Sequence, residues 1–518
     1  MKNFRVWTIR SVLLLMLLGA LSWPFIYNHG PFFFSDSIAY ATPFDHWINK
    51  YTGIVSPWTK TVDPVGAKDQ ASSTHQEKQS SSWTPPLSKD QIIMYPRSLF
   101  YGFLLYVGGL LGGGTVWVTV MFHAVTVVLS IAFMLRLLEA PIWPNLLYIG
   151  FALCIVTDAP FFITFLMPDI YAGIVILLLG SVFILNRKLT RKETLLFCTL
   201  TMLSLLFHHS VLLVALLLLA IFLAGTLLRF FKSPLSNCVV IMAVLLLGFL
   251  VQFASDFGYK QLVRHVTGYD PSQVPFLTAR LIADGPGTQY LRETCPQSGF
   301  TVCSFLNRFP EDEGTFLWDP GKEGGIFFAS PQEIPPTIIR KICAENFDFA
   351  EHVFLRHPTA VLGDMAQNSA HLFSHLSLDE FNYAPKYRIF FDEKLSTNMA
   401  QYVDNSMAYK EKIPVKALSA LYNVFVIAAV VYFVFRRVAY KSCGSGKSKI
   451  AALFFWVLTG ILLNAVVCGS IAGVYSRYET RVTWLLPLLA IVACGLDGGR
   501  LFRGNRKTRL LVVQNARS

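Results

Sequence analysis

Apolar runs recur along this chain at Val12–Ile26, Val116–Leu135, Trp143–Val156, Ile170–Leu185, Leu195–Phe207, Val211–Leu228, Val239–Phe253, Leu418–Phe435, Ile450–Cys468 and Trp484–Leu496. A bilayer core roughly 30 Å thick takes about 20 apolar residues per helix, so a chain built this way has lipid as its solvent. Composition agrees: 53% of residues are hydrophobic, 15% are charged and the mean hydropathy is +0.48, outside the balance of soluble globular domains. The 44 Lys and Arg exceed the 32 Asp and Glu, but the cations sit beside the apolar runs. Membrane topology and anionic lipid account for that placement. No basic stripe with interleaved aromatics occurs, which excludes nucleic acid as a partner.

The positive-inside rule orients the runs. Lys2, Arg5 and Arg10 place the amino terminus in the cytoplasm, and the first run ends in Trp23-Pro24-Phe25-Ile26-Tyr27 rather than at the small-residue site of a cleaved signal peptide. Arg136, Arg187, Lys188, Arg191, Lys192, Arg229, Lys232, Arg436, Arg437, Lys441, Lys447 and Lys449 then fall on the same side, as does the tail from Arg500 to Arg509. The expectation is an all-α polytopic membrane protein of about ten transmembrane helices, both termini cytoplasmic. Leu195–Leu228 is too long for one helix and short for two, and His208-His209-Ser210 interrupts it. It reads as two short helices with the histidines at the outer mouth; one long tilted helix is the alternative.

Three regions follow: 1–254, a transmembrane module with a first external loop at 28–115; 255–415, an inserted external α-rich domain; and 416–518, further membrane helices with a basic tail. Val62–Gln91, rich in Ser, Gln, Lys and Pro, is expected to be disordered. The apolar Leu99–Leu111 is too short to span and belongs at the interface. Cys295 and Cys303, close together on the oxidising side, are expected to pair, with Cys343 left as a thiol. The sequence contains neither CxxC nor HExxH, so no zinc motif is present. Arg356 to Phe373 reads as an amphipathic helix returning to the membrane surface.

Three polar groups lie at predicted outer helix ends. Asp36, in Phe32-Phe33-Phe34-Ser35-Asp36-Ser37-Ile38-Ala39-Tyr40, follows the first helix at headgroup depth, where a lipid-borne phosphate would lie. It suits a general base; capping the next helix is its structural alternative. Asp158 and Asp169 form a second acidic cluster, Asp169 either capping its helix or facing Asp36 to orient an acceptor or share a divalent metal, the cofactor being otherwise unknown. Arg477 and Arg481, one helical turn apart, are expected to hold an anionic phosphate, unless Glu479 pairs with them internally. Arg97, His208 and His209 are further candidates for that anion, and Tyr40 and Tyr478 are supporting or acceptor-side residues.

The order and common side of these groups resemble the GT-C superfamily of integral-membrane glycosyltransferases, in particular the bacterial branch related to aminoarabinose transferases and protein O-mannosyltransferases. Ser35-Asp36-Ser37 looks like that branch's acidic motif after the first helix, with Ser37 standing where a second acid is usual. Pro96-Arg97-Ser98-Leu99-Phe100-Tyr101 is similar to its interfacial element, Asp169 falls where a second external aspartate is common, and Arg477-Tyr478 with Leu485-Leu486-Pro487 looks like its closing pattern. The resemblance covers about the first 230 residues and the last 50, not the 255–415 insert. It implies a polyprenyl-phosphate-linked sugar donor, a glycan, lipid or protein acceptor, and inverting transfer on the outer face of a bacterial inner membrane. An O-antigen ligase or polymerase, using Arg264, His265, Arg280 and Arg292 of the insert, is a rival, as is a lipid-linked-glycan transporter or flippase.

Overall fold

The computed structural model describes residues 2–52, 58, 92–95, 97–112, 114–228, 234–308, 312–318, 325–327, 334–383, 391, 395–439 and 446–497. Val62–Gln91 and the tail beyond residue 497 lie outside them. The first half comprises α1 (Lys2–Leu21), α2 (Trp23–Tyr27), α3 (Ser35–Thr52), α4 (Leu99–Leu111), α5 (Trp117–Leu137), α6 (Ile142–Val156), α7 (Ala159–Thr164), α8 (Ile170–Leu185), α9 (Arg191–Phe207), α10 (His209–Leu227) and α11 (Leu235–Thr267). The second half comprises α12 (Phe276–Asp284), α13 (Pro286–Thr294), α14 (Glu313–Trp318), α15 (Pro336–Ala344), α16 (Asn346–Arg356), α17 (Pro358–Ser374), α18 (Thr397–Asn405), α19 (Val415–Ala439), α20 (Gly446–Ile471), α21 (Arg477–Thr483) and α22 (Leu485–Asp497).

This is the architecture of an α-helical multi-pass membrane protein. Among the described residues, 7 segments are long and apolar enough to cross a membrane: Phe4–Leu21, Trp117–Leu137, His209–Leu227, Leu235–His265, Val415–Arg436, Lys449–Ile471 and Arg477–Leu496. Leu99–Leu111, Ile142–Val156 and Ile170–Leu185 are shorter apolar helices. Hydropathy alone located the apolar runs but not the helix ends. The expected Val239–Phe253 span is the middle of a 33-residue helix, and the expected Trp484–Leu496 span continues back through Arg477.

The pillar of the bundle is α8, buried at nearly every position. It packs against α5, α9, α10, α20 and α21, and small residues let its neighbours approach closely. A Cβ on Gly173 would lie 2.6 Å from Trp484 Nε1, and one on Gly180 would strike the Trp456 ring. Because α8 is central, Asp169 at its amino end and Arg187 just past its other end mark the two faces of the bundle.

The stretch 255–415 contributes to more than one packed region. Residue 255 lies inside α11 with no break in the helix. A second core of its own runs from Ala279 to Val361, while Leu378, Phe381, Tyr383, Met399, Val403 and Ile413 belong to the larger core of the bundle. The reason is physical: the fall in hydropathy records where lipid contact ends, not where packing changes partner. Cys295 and Cys303 form a disulfide in this second unit, and Cys343 is a buried free thiol. The expected amphipathic segment is α17, which packs along α20 with the Ser369 backbone against Gly469.

Candidate functional site

Asp36 is positioned by the three phenylalanines before it. Phe32, Phe33 and Phe34 are buried; the Phe32 N–H donates to the Thr164 carbonyl at 3.0 Å and the Leu166 N–H donates back to Phe32 O at 2.9 Å. The Phe33 N–H donates to Tyr383 Oη at 2.8 Å, which ties this strand-like segment to the chain beyond the second unit. Phe381 packs its ring 5.0 Å from both Phe32 and Phe165. The chain then enters α3, where the Phe34 N–H donates to Ser37 Oγ at 3.0 Å. Ser37 therefore takes the capping contact, and the Asp36 carboxylate turns to Arg97, whose Nη2 lies 3.1 Å away. The pair keeps access to solvent, its side chains being 35% and 22% exposed for Arg97 and Asp36. Phe276, the first residue of α12, lies under the Arg97 guanidinium at 5.8 Å, so the second unit reaches this pair.

Asp169 occupies the N-cap position of α8 without making a side-chain cap. Its Oδ1 accepts instead from Arg481 Nη1 at 3.1 Å, with the two side chains 0% (Arg481) and 1% (Asp169) exposed. Arg481 also donates to His208 Nε2 at 2.9 Å, Ser210 Oγ at 3.3 Å and Asn464 Oδ1 at 3.1 Å. That contact explains why the helix breaks where it does. His208 is extended (φ −142°, ψ 114°) between α9 and α10, its Nε2 taken by Arg481 and its Nδ1 facing Ser210 at 3.0 Å. Enclosure by protein, then the charges of Arg481, His209, Arg477 and Arg97, hold the imidazole well below its ordinary range, so it accepts as a neutral ring.

Arg477, one turn before Arg481, is 2% exposed and makes no ion pair among the described residues. Its guanidinium carbon lies over the Phe34 ring, 3.7 Å from the centroid, and 5.0 Å from that of Tyr478. Nη2 reaches Tyr478 Oη at 3.4 Å, while Nε and Nη1 are buried without a partner. Glu479 does not neutralise either arginine: its Oε2 accepts from Asn464 Nδ2 at 2.9 Å.

The three clusters therefore meet at one end of the bundle. The charges of Asp169, Asp36 and Glu380 all act on Arg477, and those of Arg97, Asp36, Asp169 and Arg477 all act on Tyr40. Burial keeps the Tyr40 phenol above its ordinary range. His209 is exposed and faces Asp256 and Arg97 electrostatically, away from Arg481. Asp158 is set apart, buried at the start of α7 with Thr483 Oγ1 3.5 Å from Oδ2 and no partner for Oδ1.

A divalent metal does not fit the acids as they stand. Asp36 is held by Arg97, Asp169 by Arg481, and Asp158 faces a threonine. Among the described residues no three His, Cys, Asp or Glu side chains group to hold an ion. Of the insert's arginines, Arg280 pairs with Asp284 at 2.7 Å and Glu313 at 3.3 Å, and Arg264 with Asp270 at 4.0 Å.

Four contributors escaped sequence reasoning. Asn464 had a signal, a lone amide inside a long apolar helix, which in lipid calls for a partner. Phe34 and Ser210 stood in stretches the sequence marked, an aromatic run and a helix break, but their contacts with the arginines arise only when chain segments far apart meet; Glu380 had no signal. Comparison of the chain with protein-family models, with curated proteins and with solved structures finds no match.

Proposed function

We propose that this protein is a membrane glycosyltransferase of the GT-C type, moving a sugar from a polyprenyl-phosphate donor to an acceptor at the outer face of a bacterial inner membrane. One observation carries the reading: a solvent-reachable carboxylate, Asp36, shares a helix mouth with a buried arginine, Arg477, that has two unpartnered guanidinium nitrogens. A buried cation without its full set of acceptors is costly, and a phosphate oxygen supplies what it lacks.

In this reading Asp36 takes the proton from the acceptor hydroxyl or amine as that atom attacks the anomeric carbon. The bond from the anomeric carbon to the phosphate oxygen breaks on the opposite side, and the charge gathering on that oxygen is met by Arg477, with Arg97 beside it. Asp169 acts at one remove, holding Arg481 and through it the helix turn that presents Arg477. The test is transfer of radiolabel from a polyprenyl-phosphate-linked sugar into membranes containing the wild-type chain or Asp36→Asn. Loss of labelling in a variant that folds normally is the expected result; full labelling by it removes Asp36 as the base.

A further inference from the structure

The opposite end of the bundle carries a second charged site that sugar transfer does not use. A cleft of about 440 Å³ opens there, lined by Arg10 of α1, Arg136 in the last turn of α5, Glu139 after it, Ile142 and Trp143 of α6, and Arg187 after α8. It lies past the far ends of α8 and α9 from Asp169 and His208. The 17 residues of α9 alone place it about 25 Å from the candidate active site.

Its charges are unevenly matched. Two carboxylates accompany three guanidiniums: Glu139, exposed, on the lining of the cleft, and Glu193, 3% exposed, behind it. The Glu193 Oε2 closes a capping box, accepting from the Thr190 N–H at 2.8 Å and Thr190 Oγ1 at 2.9 Å. Oε1 is left to serve two guanidiniums, Arg136 Nε at 3.0 Å and Arg187 Nη2. The Arg187 Nε is buried with no partner. Arg10 adds a third guanidinium from the facing wall, exposed and outside the Glu193 cluster. Lys188, Arg191 and Lys192 surround the turn with further positive charge.

The rim beside these cations is apolar. Ile142 and Trp143 line it, and on α1, on the bilayer side of Arg10, Val12, Leu15 and Met16 are exposed. Guanidiniums with open donor positions recognise phosphate oxygens through charge-assisted hydrogen bonds. Where they stand at the end of membrane helices beside exposed apolar side chains, the phosphate they meet carries acyl chains. We propose that this cleft binds the phosphate of an anionic phospholipid, with Arg10 and the Arg136–Arg187 pair on the headgroup and the chains laid over α1 and α6. Free phosphate offers the same oxygens but has no chains to cover Leu15, Met16, Ile142 and Trp143.

The test follows thermal unfolding of the full chain in detergent on titration with phosphatidylglycerol, phosphatidylcholine or inorganic phosphate. Phosphatidylglycerol is expected to raise the Tm, with the other two giving no comparable rise. Arg10→Gln is expected to raise the half-saturating lipid concentration about tenfold, the loss of roughly one charge-assisted contact. Lys416→Gln, on an exposed side chain at the start of α19 and outside the cleft, is expected to leave it unchanged. Arg10 is the residue to change because removing Arg136 or Arg187 strands Glu193 and endangers folding. Equal protection by phosphatidylcholine, equal protection by inorganic phosphate, or an unaltered Arg10→Gln titration would each overturn the proposal.

Discussion

The Arg481 guanidinium and the Asp169 carboxylate, 312 residues apart in the chain, meet at 3.1 Å with neither side chain more than 1% exposed. The bond joins the start of the last crossing segment to the amino end of the central helix. Arg477 sits one helical turn before Arg481, so this one contact also determines where the neighbouring arginine stands relative to Phe34 and Asp36.

Breaking it from one side leaves a charge buried with too few partners. Asp169→Ala is expected to cost about 3–5 kcal/mol, because Arg481 keeps its desolvation penalty and loses its counter-charge. Arg481→Ala is expected to destabilise as well, and the double variant by less than the sum, since the second change removes a group already stranded. Unfolding of the four proteins in one detergent measures this; strictly additive losses would show that the two side chains do not act as a pair.

Asp169 also shows how far the sequence could be read. Its place at a helix end was legible, since Pro168-Asp169 before an apolar run is a start signal, but the same signal predicts capping, and the carboxylate does not cap. Its partner lies in another crossing segment, and no local pattern encodes that pairing. The helix break at His208 was legible as an interruption in an apolar run, whereas its cause, Arg481 and Ser210 holding the ring, was not. The phenylalanine run before Asp36 pointed to an aromatic bracket, and the structure gives Phe34 the further task of carrying Arg477. What sequence periodicity supplied was the list of apolar helices; what it missed was which of them lengthen or join, because that depends on packing against α8.

Asp158 gives a pH dependence with a definite sign. It is 3% exposed between α6 and α7, no cation among the described residues pairs with it, and burial pushes its carboxyl up to about 8. The folded chain therefore keeps a proton that the unfolded chain releases above a pH of about 4. Stability from this group is greatest below that value and falls as the pH rises towards 8, levelling off beyond it. Tm measured between pH 5 and 9 is expected to decline more steeply for the wild type than for Asp158→Asn, which has no proton to lose. Identical slopes for the two would rule out Asp158 as a source of the dependence.

Close approach of helices at α8 makes a packing prediction. A side chain added at Gly180 runs into the Trp456 ring, whereas one at Gly19 meets nothing within 4 Å. Gly180→Ala is expected to destabilise by about 1–3 kcal/mol through overpacking. Gly19→Ala, at a half-buried position of α1 with room for the methyl group, is expected to be neutral or slightly stabilising, since alanine loses less backbone freedom in a helix. Thermal unfolding of both in detergent separates the two cases; equal behaviour would show that α8 and α20 do not pack as closely as described.

The contact between Arg477 and Phe34 is open to a double-mutant cycle. The guanidinium lies 3.7 Å from the ring centroid and is 2% exposed, the desolvated setting in which a cation over an aromatic face is worth most, about 2 kcal/mol. Phe34→Leu keeps apolar volume beneath the guanidinium and removes the ring's negative face. Arg477→Gln removes the cation and keeps a polar head able to reach Tyr478. The two single variants and the double variant together isolate the pairwise term from the cost of each change alone. A coupling of about 1–2 kcal/mol in unfolding free energy is expected. A coupling near zero would mean that Arg477 is held by the rest of the mouth, and that Phe34 contributes only its bulk to the placement of Asp36.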